Sequence, residues 1–154
     1  MIQTHQLHLL FLALWGGVVL AESVIELWGR RREELLRPTV IFHYWIDLLI
    51  EAPIILGVLA SGVLLLLTLD RLVWLHAVKV AVALLAVSAN AYCIVQVLAR
   101  YRDLRRGADS EKLLSRTRRV FLSAAVGMPF AGVAVVLGFL LTLRSFQAAG
   151  ILPP

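Results

Sequence analysis

The chain has 154 residues, of which 60% are hydrophobic, and its mean hydropathy is +0.86. Several apolar stretches exceed the roughly 20 residues that a spanning helix needs, so the composition indicates an integral membrane protein without a separate soluble domain. The net charge of +5 is concentrated in two stretches between apolar segments, which is typical of membrane topology and excludes a nucleic-acid footprint.

Four spanning helices are predicted in chain order. The first covers approximately residues 5–28, and no signal-peptide charge pattern precedes it. The second covers residues 38–69 and begins at Pro38, a favourable first-turn residue. It is longer than one crossing needs, which predicts tilt, a kink at Pro53 or an extension into the cytoplasm. The third covers residues 72–98 and the fourth residues 120–143. Between them lies a basic loop at 99–119, whose segment SEKLLSRTRR is compatible with a short helix leading into the last span.

The two basic stretches predict the topology. The first holds Arg30, Arg31, Arg32 and Arg37, and the second is the loop at 99–119. An even number of crossings separates them, so both lie on one side, which the positive-inside rule makes cytoplasmic. We therefore expect one all-α domain over residues 1–154, an antiparallel bundle of four transmembrane helices with both termini on the outer side. Its expected partner is the lipid bilayer, with attraction between the basic stretches and anionic headgroups.

An acidic stripe marks the second helix. His43, Asp47 and Glu51 follow one another at four-residue spacing and so share one helical face. Each ionisable group at bilayer depth costs roughly 2.5–3.5 kcal/mol on insertion scales, so the stripe must face protein, water or an ion. Glu22 and Glu26 of the first helix lie at the same depth.

These five residues form the inner group, and their carboxylates and imidazole are ligand types of iron, copper, zinc or manganese sites. Three alternatives stay open. Glu26 is spaced for an ion pair with Arg30 at i, i+4. The acids could instead be protonated and hydrogen-bonded to one another. They could also form a proton relay, which needs only titratable groups along a path.

A second, outer group contains His8, His76 and Lys79, with Arg71 near the membrane surface. Two histidines on different helices at similar depth suit the axial positions of a haem, and Arg71 suits a propionate. An interfacial role is the alternative for His8 and His76, since polar aromatic side chains favour the membrane surface.

The order of the motifs HLLFLALWGG, EAPIILGVLASG, WLHAVKVAVALL and SEKLL resembles the HemJ-type protoporphyrinogen oxidases and the related CopD-like copper-resistance membrane proteins. This resemblance implies a helical bundle of the bacterial inner membrane that binds haem or a metal. It also implies that His8 corresponds to a haem-ligating histidine of the first helix and Lys79 to a lysine of the third.

Three functions are compatible with the sequence. The first is binding of haem b or a transition metal through intramembrane His, Asp and Glu residues, for metal or haem handling or as an oxidoreductase. The second is a small transporter or channel for a cation or protons. Four helices alone enclose only a thin pore, so this function requires a homo-oligomer. The third is an accessory subunit of a membrane complex. Small residues on the fourth helix, such as Gly127 and Gly138, would offer a partner helix a packing face, but close packing within the bundle is the favoured explanation for them.

Overall fold

A computed structural model describes residues 3–69 and 71–148 of the chain. Its elements are α1 (Thr4–Arg31), α2 (Glu33–Ile46), a π-helical segment (Asp47–Glu51), α3 (Ala52–Leu67), α4 (Trp74–Arg105) and α5 (Ser110–Ala148). Within the described residues there is no β-strand. Four helices are long and apolar enough to cross a membrane, because α2, the π-helical segment and α3 form one continuous span, Glu33–Leu67. The prediction of four spanning helices is confirmed at this level, while the orientation of the termini stays a prediction.

The helices extend further than predicted, and most of the loop expected at 99–119 is helical. α4 continues to Arg105 because Gly107, at φ 77°, ends it in a left-handed turn in which Ala108 N donates to Asp103 O at 3.0 Å. α5 then begins at once, since Asp109 Oδ1 accepts the backbone N–H of Lys112 at 2.9 Å and so caps its first turn. The polar turn between the two helices is therefore only a few residues long.

A π-helical segment replaces an α-helical turn where the acidic stripe lies. Its defining bond runs from Ala52 N to Asp47 O, one residue longer than an α-helical bond. Pro53 is the second residue after this segment and has no N–H to donate to the carbonyl of Leu49. In a regular helix the proline ring would also clash with that carbonyl. The wider turn accommodates this proline without ending the span. The position is the one where the sequence predicted a kink.

The chain divides into two compact units, each considered by itself. Unit 1 takes its described residues from Met1–Leu69 and Cys93–Phe121, and unit 2 from Asp70–Tyr92 and Leu122–Pro154. In unit 2, a Cβ on Gly127 of α5 would lie 3.0 Å from Ala89 Cβ of α4, so these helices approach closely where the small residues predicted it.

In unit 1, α1 runs antiparallel to the long span α2–α3. His8 meets Ser61 near one end of this seam, Trp15 meets Glu51 further along, and Gly29 meets Thr39 at the other end. Two glycines allow the close approach. A Cβ on Gly29 would lie 2.7 Å from Thr39 Cβ, and one on Gly57 would lie 2.6 Å from the ring of Phe11. Close backbone contact is the usual way in which membrane helices associate.

The buried side chains of the described residues are mostly polar. Twelve polar or charged residues are buried against eight hydrophobic ones, while Leu, Val, Ile and Phe side chains dominate the exposed surface. Lipid covers apolar side chains as well as a protein core does, so the interior is left to the groups that lipid cannot solvate. The arrangement is that of an integral membrane protein.

The seam between α1 and α2 can be tested with Gly29→Ala. The added methyl group collides with Thr39, so we expect a loss of about 1–3 kcal/mol in unfolding free energy, the usual cost of overpacking. Thermal unfolding in detergent, followed by circular dichroism, measures it. Gly16→Ala is the matched control on the same helix, because a Cβ there has nothing within 4 Å. Equal thermal stability of the two variants would contradict the close approach at Gly29.

Candidate metal centre

Three residues of the inner group lie around one point inside unit 1. One ligand atom each of Glu22, His43 and Asp47 lies within 4.8 Å of the others. His43 Nε2 is 3.8 Å from Glu22 Oε2 and 3.3 Å from Asp47 Oδ1. All three residues are buried. The predicted convergence of the first and second helices at this depth is therefore present in the structure.

The local folding places these three side chains. Glu22 lies on the face of α1 that packs along the seam, and His43 lies on α2 opposite it. Asp47 is the first residue of the π-helical segment, one turn after His43 on the same face. Because both helices are held by neighbouring seam contacts, the three groups converge without any loop residue taking part.

Several oxygen atoms in this cluster have no hydrogen-bond partner. In the part of the chain that the structure describes, Glu22 Oε1 and both oxygens of Asp47 are buried and accept no hydrogen bond. The contact of Asp47 Oδ1 with His43 Nε2 is within ion-pair distance but lacks hydrogen-bond geometry. A buried polar group without a partner costs roughly 1–3 kcal/mol, and more when it is charged. The cluster therefore has free coordinating capacity at its centre.

The opposite edge of the His43 ring is fully engaged. His43 Nδ1 contacts Glu26 Oε1, and Arg100 Nη2 contacts the same oxygen. Arg100 Nη1 donates to Glu26 Oε2 at 2.9 Å and to Thr117 Oγ1 at 2.8 Å. Arg100 and Thr117 are both 0% exposed. Glu26 thus lies beside the imidazole, away from the converging ligands, with both carboxylate oxygens occupied.

Arg100 was missed by the sequence reasoning, which placed it in the basic loop. Arg100 directly follows an apolar helix and lies one turn after Gln96, and both side chains are buried. The signal in the sequence was this spacing, which continues a polar face past residue 98. The pair of Glu26 with Arg30, one of the alternatives left open by the sequence, is not formed. Arg30 instead lies over the ring of Phe121, with its guanidinium carbon 4.9 Å from the ring centroid, because Glu26 is already held by Arg100.

Glu51 is the fifth member of the inner group. It is buried one helical turn beyond Asp47, and its Oε1 accepts a hydrogen bond from Trp15 Nε1 at 3.0 Å. The indole of Trp15, which the sequence analysis did not single out, thus holds this carboxylate. The cluster thus collects four acidic side chains around one histidine, with a single buried guanidinium among them.

The outer group is divided between the two units. In unit 1, His8 Nδ1 lies 2.9 Å from Ser61 Oγ, which in turn donates to Gly57 O at 2.6 Å. His76, Lys79 and Arg71 belong to unit 2. Ligation of a haem by His8 and His76 together therefore stays a prediction.

Within unit 2, His76 has a local partner. Its Nδ1 accepts the backbone N–H of Val73 at 3.3 Å, a contact that caps the start of α4 and agrees with the interfacial alternative. Lys79 is half-buried, and its Nζ would lie 3.1 Å from a Cβ on Gly138 of α5. Arg71 is exposed before the start of α4.

Comparison of the chain with protein-family models, with curated proteins and with solved structures gives no match. The resemblance to the HemJ-type oxidases and the CopD-like proteins accordingly stays a prediction. What is established is an all-helical protein with four candidate membrane spans and a buried His/Asp/Glu cluster in unit 1.

The importance of the buried ion pair can be measured by removing one partner. Glu26→Ala leaves the guanidinium of Arg100 buried without a counter-charge, so we expect a loss of roughly 3–5 kcal/mol in unfolding free energy. Thermal unfolding in detergent, with circular dichroism as the signal, provides the measurement.

Two controls sharpen this test. Glu34→Ala removes an exposed acid from the first turn of α2 and should leave the stability nearly unchanged. The double variant Glu26→Ala/Arg100→Met has no stranded charge and should recover much of the loss. A single variant as stable as the unaltered protein would show that the pair is not buried as described.

Proposed function

We propose that the protein binds a transition-metal cation within the membrane through Glu22, His43 and Asp47. The observation that carries this proposal is the convergence of three ligand atoms within 4.8 Å, together with buried carboxylate oxygens that accept no hydrogen bond. A cation would coordinate these oxygens and compensate the charge of the carboxylates that bind it.

The competing explanation is a cluster of protonated acids that hydrogen-bond to one another. It needs a proton between neighbouring carboxyl groups, where a metal ion would instead be shared by the same oxygens, so the metal content of the protein decides between the two. The simple interfacial pair with Arg30 is not formed, since Glu26 is held by a buried arginine. We infer an ion because an imidazole nitrogen converges with two carboxylates on one point.

The donor set narrows the class of ion. One imidazole nitrogen and two carboxylates suit zinc, iron, manganese or copper(II), whereas copper(I) prefers sulfur ligands. Cys93, on α4, is not among the three converging residues. Glu51 follows Asp47 by one turn on the π-helical segment, where its Oε1 accepts the indole N–H of Trp15. Metal handling or metal-dependent redox chemistry is the function that we infer from this set, and the bacterial inner membrane as its location rests on the family resemblance alone.

Metal content of the purified protein tests the proposal. We expect near-stoichiometric metal by elemental analysis after mild extraction, and loss of most of it in His43→Ala and in Asp47→Asn, because each removes one of three ligands. Circular dichroism should show both variants still helical. Absorption spectra of oxidised and dithionite-reduced samples distinguish a metal ion from haem, which would give a Soret band.

A matched control is Asp103→Asn. Asp103 is also a buried acid, but its two oxygens are already paired with Lys112 at 3.0 Å and with Arg116 at 3.2 Å. This variant should retain the metal. Unchanged metal content in both His43→Ala and Asp47→Asn would rule out the inner site.

Transport of a cation or protons is the second candidate function, and one observation favours it. Polar pairs occur at successive depths along the α1 seam, from Glu26 and His43 through Trp15 and Glu51 to His8 and Ser61. From residue 26 to residue 8 a helix rises about 27 Å, close to the thickness of a bilayer core.

Flux into proteoliposomes tests the transport function separately from binding. A zinc- or pH-sensitive dye inside the vesicles should report uptake by the unaltered protein and its loss in Asp47→Asn. Because four helices enclose only a thin pore, this function also requires an oligomer in lipid. A strictly monomeric protein without flux would leave resident metal binding as the function.

A further inference from the structure

The metal centre proposed above leaves one buried charged group outside the ligand set. Arg100 lies on α4, is 0% exposed and contacts Glu26, Thr117 and the edge of His43. A guanidinium is expensive to bury even when it is paired, and apolar side chains of similar volume are often as stable in its place. Its contacts suggest a role beyond stability.

The contacts at Glu26 define which nitrogen of His43 carries a proton. Glu26 is paired with a guanidinium, which never loses its proton in proteins, so its carboxylate acts only as an acceptor. Arg100 Nη2 and His43 Nδ1 both contact Glu26 Oε1. Because a carboxylate held by a guanidinium accepts and does not donate, we assign the hydrogen of this contact to Nδ1, and in a neutral ring the lone pair is then on Nε2.

Nε2 is the nitrogen that faces the ligand cluster, at 3.3 Å from Asp47 Oδ1 and 3.8 Å from Glu22 Oε2. A carboxylate that accepts the far N–H of a ligating histidine fixes the ring orientation and raises the basicity of the ligating nitrogen. Glu26 occupies that place here. Arg100 fixes Glu26 through two parallel contacts, a geometry that lysine or glutamine cannot reproduce.

Thr117 completes the arrangement from α5. Its hydroxyl accepts the second hydrogen bond of Arg100 Nη1 and donates its own proton to Leu113 O at 3.1 Å. A hydroxyl whose hydrogen is committed to the helix backbone presents its lone pairs to the guanidinium. The orientation of the imidazole on α2 thus depends on residues of α1, α4 and α5.

We propose that Arg100, held by Thr117, is a positioning residue that directs the Nε2 lone pair of His43 into the metal centre. The site then prefers ions that favour nitrogen, such as Zn²⁺, Fe²⁺ and Co²⁺, over the oxygen-preferring Mg²⁺ and Ca²⁺. This inference rests on the proposed function. If the Nε2 lone pair of His43 pointed away from the site, only the carboxylates would bind the ion. The preference for Zn²⁺, Fe²⁺ and Co²⁺ over Mg²⁺ and Ca²⁺ would then fall to that of an acidic cluster.

Competition between Co²⁺ and Mg²⁺ on the full-length protein in lipid nanodiscs tests this inference. Co²⁺ reports its ligands through visible absorption, so the Mg²⁺ excess needed to displace it can be titrated directly. The unaltered protein should retain Co²⁺ against a large Mg²⁺ excess. In Arg100→Gln we expect Co²⁺ affinity to fall about 10–100-fold, as for other residues that orient metal-binding histidines, while Mg²⁺ affinity stays the same.

Two further variants keep the result interpretable. Thr117→Val keeps the shape and the ion pair but removes the acceptor for Arg100 Nη1, so it should shift the preference in the same direction by less. If Arg100→Gln does not fold, the ion preference of Thr117→Val alone tests the inference. Arg116→Gln is the matched control, because Arg116 contacts Gln96 and Asp103 instead of the metal centre, and it should behave like the unaltered protein.

The outcomes separate the two proposals. Loss of Co²⁺ preference with retained Mg²⁺ binding supports the positioning role. An equal loss of both ions in a folded variant would reduce Arg100 to a structural residue, and an unchanged preference would also overturn the inference. An unaltered protein that binds no cation at all would instead refute the proposed function, and the inference would fall with it.

Discussion

The ion pair between Glu26 and Arg100 is the contact on which the interior of unit 1 depends. A bilayer offers no water to a buried charge, so the counter-charge must come from the protein itself. By pairing α1 with α4, and by including His43 of α2 and Thr117 of α5, this one contact joins four helices. It also divides the buried acids into two kinds. Glu26 is neutralised within the protein, whereas Glu22 and Asp47 keep oxygens without partners.

Because of this division, only one side of the cluster has oxygens that can coordinate an ion. The imidazole of His43 separates a side where Arg100 and Thr117 hold the carboxylate of Glu26 from a side where carboxylate oxygens still have coordinating capacity. Groups that were satisfied on both sides would be explained by packing alone. Buried groups that remain unsatisfied in the middle of a membrane span are rare, because lipid cannot compensate them as water would. This asymmetry is the observation on which the proposed ion binding rests.

Much of this arrangement was predictable from the sequence. Apolar stretches of sufficient length predict four spans, and the four-residue spacing of His43, Asp47 and Glu51 predicts one shared face, since both follow from local geometry. Other features depend on contacts between distant residues. Arg100 is one of many arginines in its stretch, and only the packing of α4 shows that it is buried. The limits of the helices near Gly107 and Asp109 were missed because a polar, basic stretch looks like a loop when its capping bonds are not known.

The π-helical segment Asp47–Glu51 has a consequence for how this span could have arisen. A π turn is an α turn that holds one extra residue, and each residue in a helix advances the face by about 100°. Because the wider turn absorbs the extra residue locally, the face of His43 before the segment and that of Ser61 after it both stay turned towards α1. Removing a single residue there would turn the segment into an ordinary α turn and leave both faces on α1. This span could therefore have arisen from a regular helix by the insertion of one residue, which widened a single turn of the acidic stripe and left the seam on either side of it in place.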